Sequence, residues 1–428
     1  MTPKIKTVSA REILDSGGWP TVEVTITLNT GERARASAPT SSLHSHFEAA
    51  EKRDGDSQRY FGRGVLLAVQ VVNEQIAPAL AGRSPLEQEK IDQILIDLDG
   101  TSQKEKIGAP ALLAVSLAAA KVAALTKKQE LYEYLHEIYF KGSDIKLPTP
   151  LLTMFNGGGF ADTNLDFQEY LLTFSPSAPR FQKSGQPVAE MVRAGAETYH
   201  RLGQILDAAG YDVDTGSQGG YAPDMDSSIQ ALELISAAAL AAGYENEFRL
   251  GVDIGSGSLF DEAEQKYIFS LGADYLSSAN LIGLYHSWLS RFPIVYLEDP
   301  AAATDLDAWR QVTQELGGKT LLAGNDFFAT NTKRLRTALK DHLGNALVIV
   351  PAQAGTLTET MECLQLAKRH NYRIIFSQRR GETNDDSLVD LAVASGADYL
   401  KAGAPTRGER VSKWNRLLLI ESNLRTKS

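Results

Sequence analysis

Hydrophobic and polar residues follow two different spacings along this chain, and each spacing predicts a different kind of element. Residues 21–28 alternate with a period of two, and a second alternating run at 32–38 follows a turn at Thr30 and Gly31. Two such runs joined by a glycine-containing turn predict a β-hairpin. Helical spacing follows at residues 65–75, 85–97 and 109–125. The first part of the chain is therefore predicted to combine strands and helices.

Beyond a polar linker at residues 141–144, strand and helix patterns alternate. The linker predicts a boundary between a domain over 1–140 and a second over 141–428. In the second domain, helices are predicted at 188–209 and 229–242, and Ser227 and Gln230 stand in capping-box spacing before the latter. Short apolar strands are predicted at 249–253, 294–298, 321–325, 347–350, 373–377 and 399–401. This alternation is typical of an α/β barrel.

Val350 ends one of these strands, shortly before a Gly-Thr-Leu turn at residues 355–357 that opens a helix. In α/β barrels, side chains at the carboxyl ends of the strands form the active site. A valine has neither a lone pair nor an exchangeable proton, so this strand end is predicted to take no part in acid–base chemistry.

Oxygen-bearing side chains stand at three successive strand ends, at Asp253, Glu298 and Asn325. Because neighbouring strands end at the same rim, these side chains are expected to converge. Hard oxygen ligands suit Mg²⁺. A single acid would more often cap a helix or face solvent, but three positions in register favour a metal site, which the neutral amide of Asn325 weakens.

Composition narrows the possible functions. A chain of 428 residues is long enough for two domains, and its net charge of −10 argues against broad binding to nucleic acid or to an anionic membrane. No apolar signal segment opens the sequence, so a cytoplasmic location is expected. The apolar run at 109–120 is short for a membrane span and is predicted to be a buried helix. Cys363, the single cysteine, is expected to be a core residue.

Several longer motifs indicate a family. They are Ala-Arg-Glu-Ile-Leu-Asp-Ser at 10–16, Pro-Thr-Val-Glu-Val at 20–24, Arg-Asp-Gly-Asp at 53–56, Leu-Asp-Gly-Thr at 98–101, Gly-Gly-Tyr-Ala-Pro at 219–223, Gly-Thr-Leu-Thr-Glu-Thr at 355–360, Gly-Glu-Thr at 381–383 and Asn-Arg-Leu-Leu at 415–418. Together they resemble enolase, the phosphopyruvate hydratase of glycolysis, over nearly the whole chain. The resemblance implies an α+β N-terminal domain, an eight-stranded α/β barrel whose second strand runs antiparallel, and a homodimer.

The resemblance also implies a reaction. Enolases remove a proton from C2 of 2-phosphoglycerate and expel hydroxide from C3, which requires a base, an acid and divalent metals such as Mg²⁺. Several positions that match these roles are replaced here. The base lysine corresponds to Val350, its neighbouring asparagine to Ala352, the Asp-Glu pair with the acid to Ser217 and Gln218, the third metal aspartate to Asn325, and two histidines to Gln378 and Phe160.

Other positions keep the family's residue types. Gln168 and Glu169 match its Gln-Glu pair, Asp253 and Glu298 match two metal ligands, Asp326 matches the second acid of the third metal motif, Arg379 matches the phosphate-binding arginine, and Lys401 matches the lysine beside the substrate carboxylate. Arg380 replaces a serine. Fewer acids and an added arginine predict weak Mg²⁺ binding and an anion site formed by Arg379, Arg380 and Lys401.

The segment matching the family's flexible lid has lost its glycines and reads Thr-Ser-Ser-Leu-His-Ser-His-Phe at residues 40–47. This should reduce the backbone freedom that a closing lid uses. Thr40 is predicted to present a hydroxyl to the substrate. His44 and His46 are expected to be exposed loop residues, the alternative being an acid–base role.

Three hypotheses follow. The preferred one is a non-catalytic or strongly impaired enolase-like protein that still binds a small phosphorylated or carboxylated anion. The second is an enzyme with altered chemistry on a related acid, using Glu169 and Lys401, and the third is phosphopyruvate hydratase activity itself. For the anion site, the alternative is that Arg380 points away and pairs with Glu382, Asp385 or Asp386.

Overall fold

The computed structural model describes residues 2–41, 45–271 and 275–427. An antiparallel sheet of β1 (Ile5–Leu14), β2 (Pro20–Leu28) and β3 (Arg33–Ser37) opens the chain. The predicted hairpin is confirmed as β2 and β3. The sequence did not predict β1, in which a register shift between Ile5 and Thr7 interrupts the pairing with β2.

Helices cover the N-terminal sheet, and Ala109–Lys127 packs on both β2 and β3. This helix is long and apolar enough to cross a membrane by length and composition, but 83% of its most apolar window is buried inside the protein. It is therefore a core helix, as predicted, although it is longer than the run in the sequence suggested. The other helical segments here are Tyr60–Gly62, Leu66–Val71, Val72–Ile76, Ala77–Leu80, Gln88–Asp99 and Leu131–Tyr139.

A closed barrel follows. Its strands are β4 (Thr149–Asn156), β5 (Glu169–Phe174), β6 (Phe248–Asp253), β10 (Ile294–Glu298), β11 (Leu321–Gly324), β12 (Ala346–Ile349), β13 (Arg373–Ser377) and β14 (Tyr399–Lys401). β5 is antiparallel to both neighbours, and the remaining pairs are parallel. The barrel and its antiparallel second strand are confirmed. A small sheet, β7 (Phe260–Asp261), β8 (Lys266–Ile268) and β9 (Tyr275–Leu276), lies between β6 and β10 in the chain.

The two helices whose bounds were predicted in the barrel domain, at 188–209 and 229–242, are confirmed within one residue among its helical segments. These segments are Gly158–Phe160, Pro179–Gln182, Pro187–Ala208, Ser228–Ala241, Ser256–Ser258, Ser278–Arg291, Leu306–Leu316, Thr332–Lys340, Pro351–Ala354, Leu357–Arg369, Ser387–Ser395 and Gly408–Lys427. Cys363 is buried in one of them, as expected.

Two local predictions need correction. The capping box predicted at Ser227 is wrong, because the Ser227 side chain makes no cap hydrogen bond and Gln230 Oε1 accepts from the backbone nitrogen of Asp226 rather than from that of Ser227. The strand predicted to end at Val350 ends at Ile349, and Val350 precedes a one-turn helix, Pro351–Ala354, whose proline fits the first helical position.

Candidate functional site

A cavity of about 310 Å³ opens at the carboxyl ends of the barrel strands. We call it the mouth cavity. The N-terminal domain closes one side of it with residues 45–48. The barrel contributes most of the residues predicted as site residues: Gln168, Glu169, Gln218, Asp253, Asn325, Val350, Arg379, Arg380 and Lys401. These predicted residues therefore line one cavity.

Lys401 lies at the centre of this site. Its Nζ atom is 2.6 Å from Glu298 Oε2, 2.8 Å from Asp253 Oδ2 and 3.0 Å from Glu169 Oε2. Strand register explains why the three acids meet, since Asp253 pairs across the sheet with both Glu169 and Glu298. We call these acids the carboxylate cluster.

The carboxylate cluster keeps Lys401 charged. Burial by itself would lower the pKa of Lys401, but the charges of Asp253, Glu169 and Glu298 outweigh it and hold that pKa well above its usual value. Glu169 also accepts a hydrogen bond from Thr153 Oγ1 over 2.6 Å. As placed here, Lys401 cannot accept a proton, and Glu169 is already bonded through both oxygens.

The residues predicted as metal ligands offer a partial fit to Mg²⁺. Glu298 Oε1 is buried and no donor in the described part of the chain reaches it, so it is an acceptor that suits a cation. Asn325 Oδ1, in contrast, accepts from Gln353 Nε2 over 3.0 Å. Within the described residues, no group of three acidic, histidine or cysteine side chains has the arrangement of a metal site. Glu298 Oε1 is thus the oxygen here that fits an ion, and an ion held there would help to neutralise the carboxylate of a bound acid.

Val350 and Gln218, which the sequence predicts at the positions of the base and the acid, both line the mouth cavity. The Val350 side chain is 3% exposed and lines the mouth cavity, and its backbone nitrogen donates to Thr330 Oγ1 over 2.9 Å. Gln218 Oε1 accepts from Gln378 Nε2 over 2.7 Å. A pair of carboxamides orients a ligand by hydrogen bonding but does not exchange protons near neutral pH.

Asp326 is an acidic residue of the mouth cavity. The sequence assigned it no role beyond matching the second acid of the third metal motif. Its backbone nitrogen donates to Asp299 Oδ2 over 2.9 Å, and the residue lines the mouth cavity. Burial, followed by the negative charges of Glu48 and Glu298, raises the pKa of Asp326 to about 6. A carboxyl group with this pKa changes charge close to neutral pH.

Arg379 is hydrogen-bonded to Glu48, a residue that the sequence did not connect with it. Both of its terminal nitrogens donate to the carboxylate of Glu48, over 2.8 and 3.0 Å. Burial acts to lower the pKa of Arg379, but the Glu48 charge outweighs this and raises it. Glu48 and Arg379 are 331 residues apart, so no spacing in the sequence could have paired them.

The remaining residues that the sequence predicted for the site do not all lie at the mouth cavity. Thr40 does not line the mouth cavity, because its hydroxyl donates to Asp15 and its backbone bridges to Gly381. His46 is exposed at the cavity rim, as expected, and His44 lies outside the described residues. Of the acids proposed to pair with Arg380, Glu382 contacts Lys413 at 2.8 Å and Asp385 contacts Lys121 at 2.8 Å.

Comparison with known proteins matches both parts of the chain. The family model described as the enolase N-terminal domain matches residues 5–135, and that of the enolase C-terminal TIM barrel domain matches residues 144–428. A protein named enolase from Ehrlichia canis (strain Jake) is 41% identical over 98% of this chain and 96% of its own length. One of the same name from Ehrlichia ruminantium (strain Welgevonden) is 40% identical over 99% of this chain and 97% of its own length.

Proposed function

Because this chain belongs to the enolase family, we propose that it is an enolase-like protein with strongly impaired hydratase chemistry that retains a site for a small acid. The ligand is a phosphorylated or carboxylated anion, bound in the mouth cavity near Arg379, Arg380 and Lys401. The fold and its family do not decide this, because related barrels carry different activities and the site residues determine the chemistry.

The observation that carries the proposal is Val350 at the position of the base. Loss of a general base costs about 10²–10⁴ in rate, and Gln218 removes the acid as well. The other ionisable side chains proposed for catalysis do not replace the base, because Lys401 is held protonated by the carboxylate cluster and Glu169 is bonded to Thr153 and Lys401.

A second candidate is an active enzyme of the family. It would convert 2-phosphoglycerate to phosphoenolpyruvate, or act on a related acid with Glu169 and Lys401 as its proton-transfer groups. The comparisons by themselves favour this candidate, since the relatives matched over nearly the full chain bear the name enolase. The residues in the mouth cavity favour the first.

A turnover assay with 2-phosphoglycerate and saturating Mg²⁺ separates the two candidates. We expect a rate at least about 10³-fold below that of an ordinary enolase assayed in parallel, because base and acid are both replaced. The double variant Val350→Lys with Gln218→Glu serves as a comparison, and it leaves the net charge unchanged because the added lysine and the added glutamate cancel. A wild-type rate similar to the ordinary enzyme would refute the main proposal and establish the second candidate.

The Mg²⁺ site is proposed to be weak. Two carboxylates and an amide supply less negative charge than three carboxylates, and ligand charge determines affinity. We expect Asn325→Asp to strengthen Mg²⁺ binding in a calorimetric titration, and Asn246→Asp, which adds the same charge at an exposed site, to leave it unchanged. Tight stoichiometric binding by the unaltered protein would contradict a weak site.

We further propose a cytoplasmic homodimer that binds neither nucleic acid nor membranes. The domain boundary is proposed to lie between residues 140 and 141. The negative net charge supports the expected absence of binding to nucleic acid and to anionic membranes. The loop 140–148, which separates the last N-terminal helix from β4, supports the proposed domain boundary.

A further inference from the structure

The N-terminal domain supplies the carboxylate that binds Arg379. Glu48 meets both terminal nitrogens of the guanidinium, and the side chains of Arg379 and Glu48 are only 7% and 3% exposed. A planar guanidinium binds carboxylate and phosphate ligands through the same pair of parallel hydrogen bonds. Glu48 thus occupies the place at which a bound anion would contact Arg379.

The backbone around Glu48 is anchored to the barrel on both sides. Before it, Ser45 Oγ donates to the backbone oxygen of Asp326 over 3.2 Å. After it, the Ala49 nitrogen donates to the backbone oxygen of Gln353 over 2.8 Å. The carboxylate is therefore held over Arg379 by an anchored segment, and the Glu48 side chain has to rotate away from Arg379 for a ligand to take its place.

Arg379 is better suited to such an exchange than Lys401. In the described part of the chain, the one carboxylate bonded to the Arg379 guanidinium is Glu48. Lys401 contacts three carboxylates, and drawing it towards a ligand would leave buried acids unpaired. When a ligand anion takes the place of Glu48, Arg379 stays paired and one acid, rather than three, loses its cation.

We infer that Glu48 is an internal competitor for the anion site and determines which acids bind there. The inference rests on the proposed anion binding. A simple carboxylate replaces Glu48 with a group of the same charge and geometry, so it gains little. A phosphate carries more charge and more acceptor oxygens, so it competes better. The site accordingly selects phosphorylated acids over simple carboxylates.

Calorimetric titration with inorganic phosphate and with acetate tests this selection. We expect Glu48→Gln to bind phosphate at least about tenfold more tightly than the unaltered protein, because the competing charge is gone. The ratio of phosphate affinity to acetate affinity should fall for the same reason. Adding Arg379→Gln to Glu48→Gln should abolish the binding of both anions.

The matched control is Glu359→Gln. Glu359 is also paired across the two domains, with Lys104 at 2.7 Å, but it lies outside the mouth cavity. The Glu359→Gln variant should bind phosphate with the same affinity as the unaltered protein. An equal gain in this control would show a general charge effect and overturn the inference.

Two further outcomes separate the inference from the proposed function. If the unaltered protein and Glu48→Gln bind phosphate equally, and Arg379→Gln abolishes binding, the anion site stands and the competitor role of Glu48 fails. If no variant binds phosphate, including Glu48→Gln, both fail. Should Glu48→Gln not fold, Glu48→Asp takes its place, since the shorter side chain cannot bond both guanidinium nitrogens. Unchanged phosphate affinity in that variant would equally overturn the inference.

Discussion

At the scale of single residues, the mouth cavity depends on Lys401. Its ammonium group is the one cation that contacts all three acids of the carboxylate cluster, among the described residues. Breaking a buried ion pair by removing one partner costs about 3–5 kcal/mol, because the other charge stays buried without compensation. We expect Lys401→Met to lower the free energy of unfolding by about this amount at neutral pH, measured by urea denaturation. Lys90→Met, at a side chain 75% exposed, is the control, and a loss below about 1 kcal/mol at Lys401 would contradict a stabilising role.

Asp326 gives a second prediction at this scale. Its pKa is raised from 3.8 to about 6, so the folded protein binds this proton more tightly than the unfolded chain does. The stabilisation is complete below the unfolded pKa and is lost as the pH rises through about 4 to 6, a change of about 2–3 kcal/mol. In urea denaturation with a chelator present, Asp326→Asn should show a smaller fall in stability over this range. Asp97→Asn, at an exposed position, should behave like the unaltered protein.

At the scale of elements, two helices begin after a hydroxyl residue that is followed three positions later by Gln or Glu, and only one of the two is capped by it. Thr356 is buried, and its hydroxyl oxygen accepts from the backbone nitrogen of Glu359 at the start of the helix Leu357–Arg369. Ser227 precedes the helix Ser228–Ala241 without any side-chain cap hydrogen bond. A serine or threonine acts as a cap only when its side chain turns towards the free N–H groups.

This difference predicts unequal effects of alanine. Thr356→Ala should lower the free energy of unfolding by about 1–2 kcal/mol, because it removes a cap and a buried hydroxyl contact to Glu359. Ser227→Ala should change it by less than about 0.5 kcal/mol. Chemical denaturation of both variants measures the difference, and equal losses would show that the cap at Thr356 contributes little.

At the scale of the whole molecule, ion pairs connect the two domains, and one of these pairs lies in the mouth cavity. Glu48 and Lys104 of the N-terminal part pair with Arg379 and Glu359 of the barrel. The site is therefore complete only when both domains are in place.

Assembly is the prediction that belongs to this scale. Residues 10–16 and 53–56 resemble the enolase segments that contact the partner subunit, although the family's Arg-Gly-Asn after Ser16 reads Gly17-Gly18-Trp19 here. We expect light scattering at micromolar concentration to give twice the chain mass of 46.5 kDa. Phe61, a neighbouring side chain that is 86% exposed, offers a probe, since Phe61→Asp should weaken a dimer formed through this surface. A monomer at that concentration would refute the expectation.

The sequence by itself predicted the barrel, six of its eight strands and the strand ends that form the site, but neither β4 nor β5. Side-chain periodicity and turn residues are local features, so β10, β13 and β14 could be predicted to the residue and Val350 to within one position. The tertiary structure alone decided which groups meet at those strand ends. Arg379 was expected to be available to an anion and is bonded to Glu48, and Lys401 was expected beside a ligand and is bonded to three acids. Such pairs join residues more than 100 positions apart, and only the closure of the barrel and the docking of the N-terminal domain bring them within hydrogen-bonding distance.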